Sequence, residues 1–411
     1  MMRFSDERVT ASGRTAARPA GMSRGLIVVF AIATGQAVSS NYLAQPLLDT
    51  LRSEFGVSSA VAGLIVTVAQ IGYALGLVLL LPLGDLFERR RLITTLALIT
   101  SAGLAAAALA PSVGLFAGAV SLVGFTSVMA QILVPFAATL APEAERGRVV
   151  GTVMSGLLLG ILLGRTVSGL IAAAAGWRMV YGAAAALMLA QAVVLYRVLP
   201  IYRERVELAY PRLLASVLTI ARAEPELLRC AVHGASGFAA FSGLWTTLAF
   251  LLAGPHYGYS TGIIGLFGLV GVAGALTASV VGRFTDRGWT YWLTGVTSML
   301  IVAGYALIWL GAASLAALLV GILVLDIGCQ GLHITNQSDI YRLRPEARSR
   351  INAFYMTSCF VGAALGSATA ALVYDAFGWT GVCLFGAVVG LVSTLWWAVG
   401  PQTARPPGIE A

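Results

Sequence analysis

The feature that most limits how this chain can fold is a succession of twelve long apolar stretches separated by short polar joints. A helix needs about 20 apolar residues to cross the hydrocarbon core of a bilayer. Hydrophobic residues make up 58% of the chain and charged residues 11%, so a soluble fold would expose large apolar patches. No stretch alternates with the period of two that strands require, and open sheet edges do not occur in lipid. We therefore predict an all-α integral membrane protein with twelve transmembrane helices. The stretches, numbered 1 to 12, cover roughly 25–48, 58–82, 91–110, 113–140, 149–174, 179–199, 228–253, 261–281, 290–311, 313–340, 352–373 and 380–400.

The basic residues predict the orientation of the chain in the membrane. All 26 are arginine, and with both termini in the cytoplasm all but Arg52, Arg165 and Arg178 fall on the cytoplasmic side. This distribution follows the positive-inside bias, and we predict a multi-pass protein of a bacterial inner (plasma) membrane. The net charge of +8 therefore reflects topology and contacts with membrane lipids, and it does not indicate nucleic-acid binding.

The joints divide the chain into two bundles. The longest internal connection joins stretches 6 and 7, and its apolar spacing predicts a short helix lying along the membrane surface. The predicted domains are a cytoplasmic tail over 1–24, a six-helix bundle over 25–199, a cytoplasmic linker over 200–227, a second six-helix bundle over 228–400 and a cytoplasmic tail over 401–411.

Three landmarks recur at an offset of about 200 residues, in the same order and on the same side of the membrane. Repeats of this kind indicate two parallel six-helix bundles related by an axis along the membrane normal, with the solute site between them near the midplane. The pairs are GDLFERRR at 84–91 with GRFTDRGW at 282–289, PEAERGR at 142–148 with PEARSR at 345–350, and Gly176-Trp177 with Gly378-Trp379.

The loop between stretches 2 and 3 resembles the G-x-x-x-D-x-x-G-R-R loop of the major facilitator superfamily, with Glu88 where the family has its second glycine. The resemblance implies the major facilitator fold and a gate that latches the inward side while the protein opens outward. The alternative is that the loop carries only topogenic charge. The gating residues that the resemblance implies are Gly84, Asp85, Arg89 and Arg90 in the first copy and Gly282, Asp286 and Arg287 in the second.

Stretch 5 resembles the G-x-x-x-G-P-x-x-G-G motif of the drug:proton antiporter branch of that superfamily. Its sequence GILLGRTVSG begins at Gly160, with Arg165 in place of the proline and Ser168 in place of one glycine. In stretch 4, Val123 stands where those antiporters carry an arginine. The resemblance implies efflux by an antiporter, and the two departures keep proton-symport or facilitated uptake open.

Charged groups deep in a transmembrane segment are costly and mark functional sites. Asp326 lies deep in stretch 10, and Gln330, His333 and Gln337 follow it on one helical face. We predict that this stripe lines the central cavity and that Asp326 and His333 carry protons. The alternative is a hydrogen-bond network that only holds the helices together.

Arg165 has two possible positions, the outer headgroups, which its long side chain reaches by snorkelling, or the interface between the halves. At the interface it needs an anion, which is either Asp326 or an anionic solute. Aromatic and amide groups elsewhere suit a solute with apolar and polar parts. The predicted substrate-binding residues are Gln36, Asn41, Gln70, Tyr73, Gln131, Arg165, Phe241, Trp245, Gln330 and Tyr355.

The function that these features favour is secondary active transport of a small organic solute by alternating access, coupled to protons and directed outward. Uptake of a metabolite, which is anionic if Arg165 binds it, is the alternative within transport. A membrane enzyme or receptor is the alternative outside it, and the sequence shows no catalytic, metal-binding or nucleotide-binding motif. We expect a monomer that is not an enzyme, with no cofactor and no metal.

Overall fold

The computed structural model describes residues 22–202, 210–271, 277, 280–285, 287–344 and 347–400, without the side chains of Asp85 and Leu213. Most of the two predicted tails lies outside these residues, as do Asp286 and residues 203–209 of the predicted linker. Wherever the chain is described, its regular structure is helical. The helices below keep the numbers of the stretches that they contain.

Helices 1 to 6 form the first half of the molecule. Helix 1 is shorter than predicted, because it ends at Ser39, and a turn, a 3₁₀-helix over Gln45–Leu47 and a short helix over Leu48–Phe55 follow it. Helix 4 is broken at Val128, where the Thr126 hydroxyl donates to the carbonyls of Leu122 and Val123 and favours a bend. The helices are 1, Arg24–Ser39; 2, Ser59–Leu79; 3, Arg89–Ala108; 4, Val113–Ser127 with Met129–Leu140; 5, Arg146–Ala175; and 6, Trp177–Val198.

Helices 7 to 12 form the second half, after a linker helix over Tyr210–Ala223. Helices 11 and 12 together cover Arg348–Val399 and meet at Gly378, whose backbone is not helical. Gly378 has φ 64°, and Gly176, the one residue between helices 5 and 6, has φ 84°. Both joints need the left-handed region that glycine reaches readily. The other helices are 7, Pro225–Ala253; 8, Thr261–Leu266 continued by a 3₁₀-helix over Phe267–Gly271; 9, Thr290–Leu310; and 10, Leu315–Leu343.

The described helices account for all twelve stretches. Nine helical segments among the described residues are long and apolar enough to cross a membrane. The last of these segments, Arg348–Val399, contains both stretch 11 and stretch 12. The two shorter apolar helices are helices 1 and 8. Large apolar side chains face outward all around, among them Leu187, Leu365 and Leu384, each more than 60% exposed. Such a surface is stable only against lipid.

Two equivalent close contacts show that the halves repeat. In the first half, Gly156 and Gly160 of helix 5 press against the backbone of helix 1, where any side chain would collide with it. In the second half, Gly362 and Gly366 of helix 11 press in the same way against helix 7. Small residues allow this approach, which is how helices pack in lipid without a hydrophobic driving force between them.

Two seams join the halves, and the repeat relates them. Helix 2 packs on helix 11, where the hydroxyls of Thr67 and Ser367 are hydrogen-bonded at 2.9 Å. Helix 5 packs on helix 8, where the Thr166 hydroxyl donates to the Gly265 carbonyl at 3.1 Å. We call the end with the joints around 84–91, 142–148 and 282–289 the arginine-rich end. The opposite end, with the joints around 56–58, 176 and 254–260, is the arginine-poor end.

Candidate functional site

Arg165 lies inside the protein, between the two halves, and does not extend to the membrane surface. It is 2% exposed, and its guanidinium carbon is 4.1 Å from the ring centre of Trp245 and 4.8 Å from that of Tyr42. Phe241 is the third ring, at 5.2 Å. Nε donates to the Gln45 side-chain oxygen at 2.6 Å. The structure therefore places Arg165 at the interface, which is one of the two positions that the sequence left open.

Asp326 supplies the opposite charge from the other half. It is 2% exposed on helix 10, and it interacts electrostatically with Arg165 without a direct ion pair. The Trp245 indole N–H lies close to this carboxylate but makes no hydrogen bond of standard geometry. Buried charges that are not fully paired are unfavourable and are found where function requires them.

A small cavity lies beside Arg165 and is bounded by both halves. Its volume is about 10 Å³, which leaves room for one water molecule at most. Both halves contribute to its wall, so its size depends on how closely they pack against each other. The first half contributes Gln45, Pro46 and Arg165 to its wall, and the second contributes Trp245, Leu248, Ala249 and Ile264.

His333 belongs to a second cluster, nearer the arginine-rich end. Its Nδ1 is 3.0 Å from the Tyr355 hydroxyl, and the Phe238 ring packs edge-on against it. Seven residues, or about 10 Å along a helix, separate His333 from Asp326. The predicted stripe on helix 10 therefore meets two different surroundings. The two predicted proton carriers do not form one group, and Gln330 lies between them, half-buried.

The predicted residues of helices 2 and 4 meet near this second cluster. Tyr73 stacks on Phe360 of the other half with ring centres 4.1 Å apart, and the Gln131 side chain donates to its hydroxyl at 3.3 Å. The Gln70 amide donates to the Ser242 hydroxyl at 3.0 Å. These bonds bridge or line the seam between the halves, so a solute would have to break or replace them.

Gln36 and Asn41 of the first half each keep one buried polar atom without a hydrogen-bond partner among the described residues. These atoms are Nε2 of Gln36 and Oδ1 of Asn41. Both side chains are half-buried. Buried polar atoms without partners are rare and often mark a ligand or an ordered water. Binding of the solute by either residue stays a prediction.

The predicted gate is described in part. Arg89 is buried, donates from Nε to the Gly84 carbonyl at 3.1 Å, and lies over the rings of Phe136 and Tyr202. Arg90 lies over the Tyr196 ring. Gly84, Phe136 and Tyr196 belong to the first half, and Tyr202 lies at the start of the linker. In the second copy Gly282 is half-buried and Arg287 is exposed. Asp286 and the Asp85 side chain lie outside the described residues, so latching between the halves stays a prediction.

The structure adds residues that the sequence did not single out. Tyr42 and Gln45 hold Arg165, although both fall where stretch 1 was predicted to be continuous helix. A signal was available, since Gln45 is a polar residue before Pro46, and proline disfavours helix at the residue before it.

A group of potential metal ligands was also missed. Ligand atoms of Glu226, Cys230 and Asp339 lie within 4.8 Å of one another near the arginine-rich end. The Arg229 guanidinium is 3.2 Å from the Glu226 carboxylate, so an arginine already offsets this negative charge.

The fold and the site define a membrane transporter made of two six-helix halves with buried charges at their interface. Residues 27–341 match the family model described as Major Facilitator Superfamily. The chain therefore belongs to the major facilitator superfamily, and it is a transporter and not an enzyme.

Relatives and solved structures agree with this assignment. The chain is 51% identical over 377 residues to "Uncharacterized transporter YgaY" of Escherichia coli O157:H7, covering 92% of this chain and 96% of that one. It is 34% identical to "Probable transporter SCO4007" of Streptomyces coelicolor, covering 94% and 90%. The fold is similar to that of a mutant of the nucleoside transporter NupG, with TM-score 0.75, 12% identity, and coverage of 90% and 98%. A D-xylose-proton symporter has TM-score 0.69 at 17% identity, with coverage of 92% and 98%. The drug:proton antiporter branch stays a prediction.

Proposed function

We propose that this transporter moves a small organic solute by alternating access and couples the movement to protons. The observation that carries the proposal is the pair of Arg165 and Asp326, one from each half, both almost fully buried and interacting electrostatically across the interface. A carboxyl at this place changes its surroundings whenever the halves separate, because its nearest opposite charge lies on the other half. It can therefore bind a proton in one state and release it in another.

The resemblance of helix 5 to the antiporter motif favours export. Gly160 and Gly164 of that motif pack on helix 1, against Gly35 and Ser39. Export of the solute in exchange for protons is therefore the first candidate.

The second candidate is proton symport, and the position of Arg165 favours it. Arg165 replaces the proline of the motif and lies beside the acidic residue of the other half. A cation there selects a solute that carries negative charge, and such a solute can move together with a proton.

The experiment that tests coupling is solute-dependent proton flux in proteoliposomes, across a panel of small organic acids, bases and neutral compounds. Asp326→Asn should abolish accumulation driven by a pH gradient and leave solute exchange largely intact. The matched control is Asp375→Asn, which neutralises an exposed carboxylate and should behave as the wild type. Full pH-driven accumulation by the Asp326 variant would remove this residue from the mechanism, and transport without any proton flux would refute coupling.

A further inference from the structure

Three N–H groups around the small cavity have no hydrogen-bond partner among the residues that the structure describes. They are Nη2 of Arg165, Nε2 of Gln45 and Nε1 of Trp245. Their residues are 2%, 1% and 4% exposed, so bulk water does not satisfy them. A buried donor without a partner loses its hydrogen bond to water without gaining another, which destabilises the structure. These three donors come from both halves, and beside them Asp326 Oδ1 is a buried acceptor that is also without a partner. This cluster therefore has hydrogen-bonding capacity that a solute could use once the halves separate.

The chemistry of these donors identifies the solute. A carboxylate has two oxygens with about four acceptor sites and no donor, so it can accept from all three N–H groups together. The planar guanidinium of arginine favours carboxylates in particular. The remaining wall is apolar and consists of Pro46, Leu248, Ala249 and Ile264. A cationic solute would be repelled by Arg165, and a neutral one could accept hydrogen bonds from it but would not neutralise its buried charge.

We propose that the solute is a small organic anion whose carboxylate binds Arg165, Gln45 and Trp245 and whose apolar part packs on the remaining wall. This inference rests on the proposed transport function and specifies its substrate class. The cavity is too small for such a solute in the described state, so the anion enters when helices 1 and 5 separate from helices 7 and 8 at the arginine-poor end.

Asp326 determines how the proton accompanies this anion. When charged, Asp326 repels the solute carboxylate, and the two carboxylates compete for the positive charge of Arg165. A proton on Asp326 removes that repulsion, so each of the two ligands strengthens binding of the other. The solute and the proton then cross in the same direction. The inference therefore favours symport, the second candidate, over exchange.

Binding to the purified full-length protein in detergent tests the inference without requiring transport. The probes are acetate, butyrate, octanoate and benzoate, each compared with its primary amide, which has the same shape and no charge. At least one carboxylate should bind and raise the melting temperature, while its amide should bind at least about 10-fold more weakly, as loss of one charge-assisted hydrogen bond implies. Chloride should not compete. Equal binding of acid and amide, full competition by chloride, or no binding by any of the four acids would overturn the proposal.

Variants assign the binding to these residues. Arg165→Ala should weaken carboxylate binding by about 10- to 100-fold. Trp245→Phe keeps the ring beside Arg165, removes one donor, and should weaken binding by about 3- to 10-fold. If Arg165→Ala does not fold, Trp245→Phe still tests the same binding site. The matched control is Arg178→Ala, which removes an exposed arginine 4.3 Å from the Trp177 ring and should not alter binding.

Asp326→Asn separates this inference from the proposed function. It should tighten carboxylate binding at neutral pH, because the competing negative charge is gone. Weaker carboxylate binding in this variant would refute the competition. If the carboxylate binds as expected but no proton flux accompanies its transport, the coupling fails and the substrate class stands. If proton-coupled transport is found only for cations or neutral compounds, the substrate class fails and the coupling stands.

Discussion

Replacing Gly265 by valine should force the two halves apart at the arginine-poor end. Gly265 of helix 8 lies directly against helix 5, and a Cβ atom added there would be 2.9 Å from both the Arg165 carbonyl oxygen and the Gly169 Cα. Ordinary contacts begin near 3.4 Å, so the Cβ alone requires a shift of roughly 0.5 Å, and the two further methyl carbons of valine require more. The atoms in the way are backbone, which cannot turn aside as a flexible side chain can.

The size of the effect follows from this overlap. Overpacking of this kind is unfavourable by about 1–3 kcal/mol, and it acts only on the state in which helices 5 and 8 touch. The equilibrium should therefore shift toward the state open at the arginine-poor end by about 5- to 150-fold.

Alkylation of a cysteine at Ala249, in the cavity wall, measures that shift. With the four native cysteines replaced by alanine, Gly265→Val should increase the rate at which a charged maleimide labels this position. The control is Gly118→Val, because Gly118 of helix 4 has open space around it. An unchanged labelling rate in a folded Gly265 variant would refute the assignment of this seam as the closure of the arginine-poor end.

Two further predictions concern helix 5. Arg165→Lys keeps the charge but loses the planar fork and the bond from Nε to Gln45, so solute uptake into liposomes should fall nearly as far as in Arg165→Ala. Normal transport by either variant would show that Arg165 does not bind the solute. Gly160→Ala should destabilise the folded protein by about 1–3 kcal/mol, because the added methyl group collides with the helix 1 backbone. The melting temperature of the purified protein should therefore fall. Gly151→Ala, which meets open space, should match the wild type, and equal melting temperatures for the two would contradict the packing argument.

Features that lie within single segments could be predicted from the sequence. Apolar length identifies a spanning helix, and a charge within it is visible without any knowledge of packing. For this reason the helix count is confirmed, and Asp326 and Arg165 stand out from the sequence alone. The repeat is visible because its landmarks are polar joints. The glycine contacts that repeat between helices 1 and 5 and between helices 7 and 11 share a G-x-x-x-G spacing, at 156–160 and 362–366. Glycine is so frequent in this chain that the pair did not stand out as a repeat.

Features that depend on tertiary packing could not be predicted. Helical periodicity placed His333 and Asp326 on one face, but the neighbours of that face change along its length from helix 5 to helix 11. Tyr42 and Gln45 reach Arg165 only because the helix ends at Ser39, and apolar length alone does not show where a helix ends inside a membrane. Which buried polar atoms lack partners is likewise a property of the assembled bundle, and the anion proposal rests on it.

The one-residue joint at Gly176 links Arg165 to the thickness of the surrounding bilayer. Helix 5 ends at Ala175 and helix 6 begins at Trp177, so the chain has no slack with which helix 5 could tilt alone. Helix 6 must tilt with it, and its outer face, with Leu187 62% and Leu189 50% exposed, contacts the acyl chains. A change in tilt alters the hydrophobic length that the protein presents to lipid, and a mismatch in that length is unfavourable by fractions of a kcal/mol per Å. Acyl-chain length should therefore act on this transporter as an effector, setting how often the arginine-poor end opens.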